Sequence, residues 1–176
     1  MRHLLSLYLF LILGFSSYSQ DVRAKLVNTA YKYVGIKEKT GNNDGKEVEA
    51  ILARVGLAKG NPWCAALQYS IHNDNNIKAP KSGYSPDWFK TNVVYDKNKL
   101  SLSEFKAKKG QVFGLYISSK GRIGHVGMIV GEMGNFYVTI EGNTNDAGSD
   151  EGEGCYKKLR MKSSISKISD YCLTIK

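Results

Sequence analysis

Histidine and cysteine are scarce in this chain, with three of each in 176 residues. They form no cluster at zinc-ligand spacing, so no metal site is expected and no cofactor is implied. Beyond Phe15 no apolar run is long enough to span a bilayer. There is no internal repeat and no sign of a second domain. The lysines are dispersed and accompany no nucleic-acid-binding motif, so the formal net charge of +9 does not point to nucleic acid. The acidic, glycine-rich loop at 143–154 fails as a calcium-binding EF-hand. A loop starting at Asn143 would place Ala147 at its fifth position and Gly154 at its twelfth. It reads as a solvated loop.

The first 20 residues stand apart. Arg2 and His3 precede an apolar run from Leu4 to Phe15, followed by small residues at Ser17 and Ser19. That is the layout of a secretory signal peptide spanning 1–19, cleaved before Gln20; an uncleaved anchor is the alternative. No cysteine adjoins the cleavage point, so a lipid anchor is not expected. Export to the periplasm or the exterior follows, without stable membrane insertion after cleavage, and a single domain over 20–176 acting as a monomer. Loss of Arg2 lowers the net charge by one, and a basic exported protein is drawn to anionic surfaces such as cell walls.

The mature chain divides by texture. Val22, Leu26, Ala30 and Val34 fall four apart and predict a helix over 21–34. Val48, Ile51, Leu52 and Val55 predict a second helix over 46–55, ended by Gly56. A third opens in GNPWCAALQYS, residues 60–70, and ends at the polar run 73–76. SPDWF at 85–89 predicts a short helix. After Gly110 the pattern is of strands: 111–118, 123–130, 136–142, 155–160 and 170–176. Helices followed by a mostly antiparallel sheet make an α+β domain.

Cys64 opens the third helix. Asn61 suits its N-cap and Pro62 its first position, which puts Cys64 in the first turn. There the helix dipole and free N–H groups lower a thiol's pKa and can hold an oxyanion. A buried structural cysteine is the alternative. A reactive thiolate needs a base. His3 leaves with the signal, and His72 lies eight residues on, about 12 Å along a helix, which makes it a structural or a surface residue. His125, in GRIGHVGMIV, remains. If the turn 131–135 closes a hairpin centred on Met133, Val130 pairs with Phe136 and His125 faces Glu141. Their Cβ atoms would then lie about 5 Å apart. A carboxylate so placed orients an imidazole. Asn143 shares its parity. A chance cross-strand ion pair is the other reading.

NPWCAAL, GHVGMIV and IEGNT, in this order, resemble the cysteine, histidine-dependent amidohydrolase/peptidase (CHAP) family, a relative of the NlpC-type cell-wall cysteine peptidases. The resemblance runs from about Ala24 to Ile175. It implies a papain-like fold, with N-terminal helices carrying the nucleophile packed on a C-terminal antiparallel β-sheet. It implies hydrolysis of an amide bond in the stem peptide or cross-bridge of peptidoglycan. Carried over, Cys64 is the nucleophile, His125 the base, Glu141 the acid that orients it and Asn143 a polar site position. Trp63 and Trp88 are expected to border the substrate, and the loop TGNNDG, with Asn43, to rim the cleft. The chain departs from the family at Gln111, where Asp is usual, at Leu67, where Phe is usual, and in leaving no room for a wall-binding module. An inactive wall-peptide-binding relative and an acyltransferase using the same thioester chemistry are the competing functions. Cys155 and Cys172 either pair across neighbouring C-terminal strands or stand apart in the core.

Overall fold

The computed structural model describes residues 21–145 and 152–174. The signal-peptide expectation and most of the acidic loop lie outside the described residues. Among the described residues no helix is long and apolar enough to cross a membrane.

Helix α1 (residues 21–33) buries Leu26 and Ala30, with Val27 at their edge; of the rest of the expected stripe, Val22 is half-buried and Val34 lies past the helix end and is exposed. Helix α2 (Lys46–Ala53) buries Val48, Ile51 and Leu52, and carries Glu47 and Glu49 in its first turn, where the dipole favours acids. Helix α3 (Cys64–Asn73) is buried along most of its length. A 3₁₀ turn, Ser85–Phe89, follows, with Pro86 at its start.

Among the described residues six strands form one antiparallel sheet: β1 (Val93–Asp96), β2 (Val112–Ile117), β3 (Arg122–Met133), β4 (Phe136–Thr144), β5 (Gly154–Met161) and β6 (Lys167–Ser169). Their spatial order is β1-β6-β2-β3-β4-β5. The main core lies between the helices and the sheet. It joins Leu26, Leu52, Trp63, Leu67 and Ile71 to Val112, Val126, Met128 and Ile140. A smaller core gathers Tyr95, Phe113, Leu115, Ile129, Tyr137, Ile165 and Ile168, covered by Leu100, Leu102 and Phe105.

Several expectations change here. Residues 171–174 form a 3₁₀ turn, not a strand, and the short strands β1 and β6 complete the sheet instead. Cys155 and Cys172 are free buried thiols, so they do not pair. The helix expected to start after Asn61 starts at Cys64, and the Asn61 side chain turns back to the Ala58 carbonyl (3.0 Å). Gln111, at the departure from the family pattern, donates to the buried Asp170 (2.9 Å), which also pairs with Arg23 of α1 (2.7 Å). That network ties the first helix to the end of the chain.

Candidate active site

The hairpin β3–β4 carries two of the expected residues. Its turn is shorter than expected: Met133 pairs with Phe136, leaving only Gly134 and Asn135 outside the ladder. A bulge at Val130 then shifts the register by one. Past it, Ile129 faces Thr139 and Met128 faces Ile140. Continued along both strands, this register sets Gly127 opposite Glu141 and His125 opposite Asn143. His125 and Glu141 are therefore diagonal neighbours on the same face, not directly opposed. The contact forms all the same: His125 Nε2 and Glu141 Oε2 lie 2.8 Å apart, both side chains fully buried.

A carboxylate only accepts, so Nε2 donates to it. Nδ1 has no hydrogen-bond partner of ordinary geometry and is the ring nitrogen left for the Cys64 thiol, which interacts with the imidazole. Glu141 is held from its other side. Arg160 on β5 donates to both carboxylate oxygens, Nε to Oε1 (2.8 Å) and Nη2 to Oε2 (2.6 Å), and the Thr139 hydroxyl donates to Oε1 (2.6 Å).

Cys64 is the first residue of α3. Leu67 N–H makes the first helical bond, to the Trp63 carbonyl (2.8 Å), so the N–H groups of Cys64, Ala65 and Ala66 lie outside the helical ladder. Trp63 N–H donates to the Asn143 side-chain oxygen (3.0 Å). Asn143 has φ +57, a left-handed conformation that asparagine tolerates better than most residues. It thus caps the nucleophile's helix from the adjacent strand. The helix comes this close because Gly142 lacks a side chain: a Cβ there would lie 2.6 Å from the Trp63 ring and 2.7 Å from Leu67.

The charges follow from these contacts. Burial pushes the Cys64 thiol up, but His125, the Ser85 hydroxyl 3.6 Å away and the Val126 backbone outweigh it, so the net shift is downward. Burial lowers His125, but Cys64 and Glu141 reverse this and raise it to about 9. Burial raises Glu141, yet His125 and Arg160 hold it at about 2. All three directions favour a thiolate beside an imidazolium that leans on a carboxylate. The other two thiols are pushed the opposite way by burial, Cys155 to about 12 and Cys172 to about 11.

Other expected residues stand elsewhere. Trp63 and Trp88 are fully buried, so neither borders a substrate. The Trp63 indole N–H donates to Glu38 (2.8 Å), and Trp88 packs on His72 and Tyr171. Of the two expectations for His72, a structural or a surface residue, the structure shows the first, since it is fully buried. Burial holds it at about 4, and its Nδ1 meets the Gln68 carbonyl (2.8 Å). Asn43 lines a second cavity of about 570 Å³, with Glu38 and Glu153, rather than the cleft at Cys64. That cleft, of about 410 Å³, is walled by Val55, Leu57 and residues 81–85. The sequence reading missed Arg160, Thr139 and Ser85. The β5 alternation marks Arg160 as a residue beside β4, but the register sets it opposite Tyr137, and only the length of its side chain carries the guanidinium along the sheet to Glu141.

No family model matches the sequence, and no curated protein matches it. Among solved structures, the chain is similar to the P60 domain from an M. avium paratuberculosis antigen. That likeness has 12% identity, covers 89% of this chain and 97% of that one, and has a TM-score of 0.51. It is also similar to an NlpC/P60 family protein from Bacillus cereus, at 14% identity over 85% of this chain, with a TM-score of 0.49. The chain spans 40% of the length of that protein. At such identities the likeness concerns the fold, which is the α+β, papain-like arrangement of NlpC/P60 domains.

Proposed function

We propose that this chain is an exported cysteine amidohydrolase or peptidase of the CHAP type that cleaves an amide bond in peptidoglycan. The observation that carries the reading is the buried chain of hydrogen bonds from His125 through Glu141 to Arg160, with His125 Nδ1 left over and Cys64 at the start of α3 lowered by its interaction with the imidazole. It supplies what acyl transfer to a thiol needs: a nucleophile of lowered pKa, a base and a group that orients the base. The sequence motifs around the three residues supply the substrate class, and the P60-like fold agrees with it.

In this mechanism the Cys64 thiolate attacks the amide carbonyl. The N–H groups at the start of α3, Cys64 foremost, hold the developing oxyanion. The His125 imidazolium then protonates the leaving amine through Nδ1. Neutral His125 next takes a proton from the water that attacks the thioester, the acyl group leaves as the acid, and Cys64 returns as the thiolate beside the imidazolium. Glu141 stays ionised throughout.

The test is digestion of purified peptidoglycan by the chain from Gln20 onward and by its Cys64→Ala variant, under reducing conditions, with fragments identified by mass spectrometry. Fragments released by the native chain alone support the reading and name the bond. No release from several wall chemistries, with a Cys64 no more reactive than a free thiol, points to a wall-peptide-binding module.

A further inference from the structure

Tyr116 breaks the pattern of its strand. The first four residues of β2 are buried, yet Tyr116 is 54% exposed. Among the described residues its hydroxyl has no hydrogen-bond partner and its ring no aromatic or cationic neighbour. With Lys97, Asn98, Ser164 and Ser166 it lines a groove of about 520 Å³, and among the described residues no carboxylate does so. Backbone bonds fix the groove's shape. Ser166 N–H donates to the Gly114 carbonyl (2.9 Å), and Lys97 N–H donates to the Ser166 carbonyl (2.9 Å). The Lys97 ammonium is tethered to the Ser163 carbonyl (3.1 Å). The Ser164 hydroxyl donates to the Met161 carbonyl (2.7 Å) and keeps its lone pairs. The Asn98 side-chain amide and the Ser166 hydroxyl have no protein partner among the described residues.

An uncovered aromatic ring beside neutral hydroxyl and amide groups suits a ligand with an apolar face and a polar rim. A pyranose is such a ligand: its C–H face stacks on the ring, and its equatorial hydroxyls reach the groups around it. Tyr116 pairs across the sheet with Ile123, whose neighbours Arg122 and Gly124 line the cleft at Cys64. Groove and cleft are thus bordered by adjacent strands. Resting on the cell-wall reading, we infer that the Tyr116 groove binds an N-acetylated pyranose of the wall glycan, so that the glycan lies here while its peptide enters the cleft. Tyr116 supplies the stacking surface. Asn98 supplies, on one side chain, the donor and the acceptor that an acetamido group pairs with.

Two measurements test this separately from the enzymatic reading. The first titrates the Cys64→Ala chain with the tetramer of N-acetylglucosamine, which carries no peptide, and follows binding by NMR. Millimolar affinity is expected. Tyr116→Ala should weaken it about tenfold and Asn98→Ala about threefold, while Tyr116→Phe keeps it. Salt should leave it unchanged, because the contacts are neutral. No binding, or an affinity unchanged in Tyr116→Ala, overturns the inference. Binding that salt abolishes overturns it too and points to a polyanion. The second measurement compares the native chain with Tyr116→Ala on whole peptidoglycan and on a sugar-free wall peptide. A slower release from the wall alone supports the inference. Equal rates on the wall, or an equal loss on both substrates, overturn it while leaving the hydrolase intact. If neither substrate is cut, the hydrolase reading fails and the tetramer titration alone decides the groove.

Discussion

Gly127 stands across the sheet from Glu141, and its missing side chain is the space through which the Glu141 carboxylate reaches His125. A Cβ at Gly127 would lie 2.6 Å from Glu141 Cγ and 2.7 Å from the Phe113 ring. Gly127→Ala is therefore expected to cost about 2 kcal/mol and to break the His125–Glu141 bond, so that Cys64 alkylates more slowly at pH 6. Gly131→Ala on the same strand is the control, since its Cβ meets Val138 at an ordinary 3.4 Å. Denaturant melts and alkylation rates of the two variants check this. Equal behaviour contradicts it.

Arg160 holds Glu141 in its ionised form. Arg160→Met removes one of the two cations that Glu141 meets, leaving His125, and is expected to cost about 3 kcal/mol at pH 7. The sign with pH follows from the depressed acid. Glu141 sits at about 2 when folded, against an ordinary 4.5. Its ionisation thus stabilises the fold fully above the unfolded value, and this contribution is lost as pH falls from 4.5 towards 2. The stability gap between native and variant should shrink across that window. A gap that stays constant down to pH 2 places the effect of Arg160 elsewhere.

Asn143 acts on Cys64 through the helix, not by touching the reacting atoms. Asn143→Ala removes the cap on Trp63 N–H, at about 1 kcal/mol, and adds strain from a left-handed φ of +57. Asn143→Gly removes the cap alone. The glycine variant is expected to be the more stable of the two, while both lose Cys64 reactivity to the same extent. Chemical denaturation paired with alkylation kinetics separates cap from strain. Full reactivity in the glycine variant sinks the positioning role.

Much of this was legible in the sequence, for physical reasons that differ from residue to residue. Helix periodicity located α1 and α2, because the buried positions repeat with the helical turn. The His125–Glu141 contact was expected from the wrong register. The turn closes three residues later than supposed, and the Val130 bulge takes back one, so parity survives and both side chains stay on one face. Strands β1 and β6, of four and three residues, are too short to show alternation. Trp88 looked like a groove wall because an aromatic beside Pro86 fits either place. Its burial against His72 and Tyr171 depends on the far end of the chain. Arg160 was invisible because its partner is 19 residues away, across a loop.

The pH dependence of Cys64 alkylation tests the central claim most directly. With His125 raised to about 9, Cys64 lowered, and Cys155 and Cys172 pushed to about 12 and 11, one thiol alone should react near neutrality. Iodoacetamide is predicted to label Cys64 rapidly at pH 6, where an ordinary thiol is protonated. His125→Ala should move that reactivity to the range of an ordinary thiol. A Cys64 that reacts only above pH 8, or that keeps its reactivity at pH 6 without His125, would contradict the account.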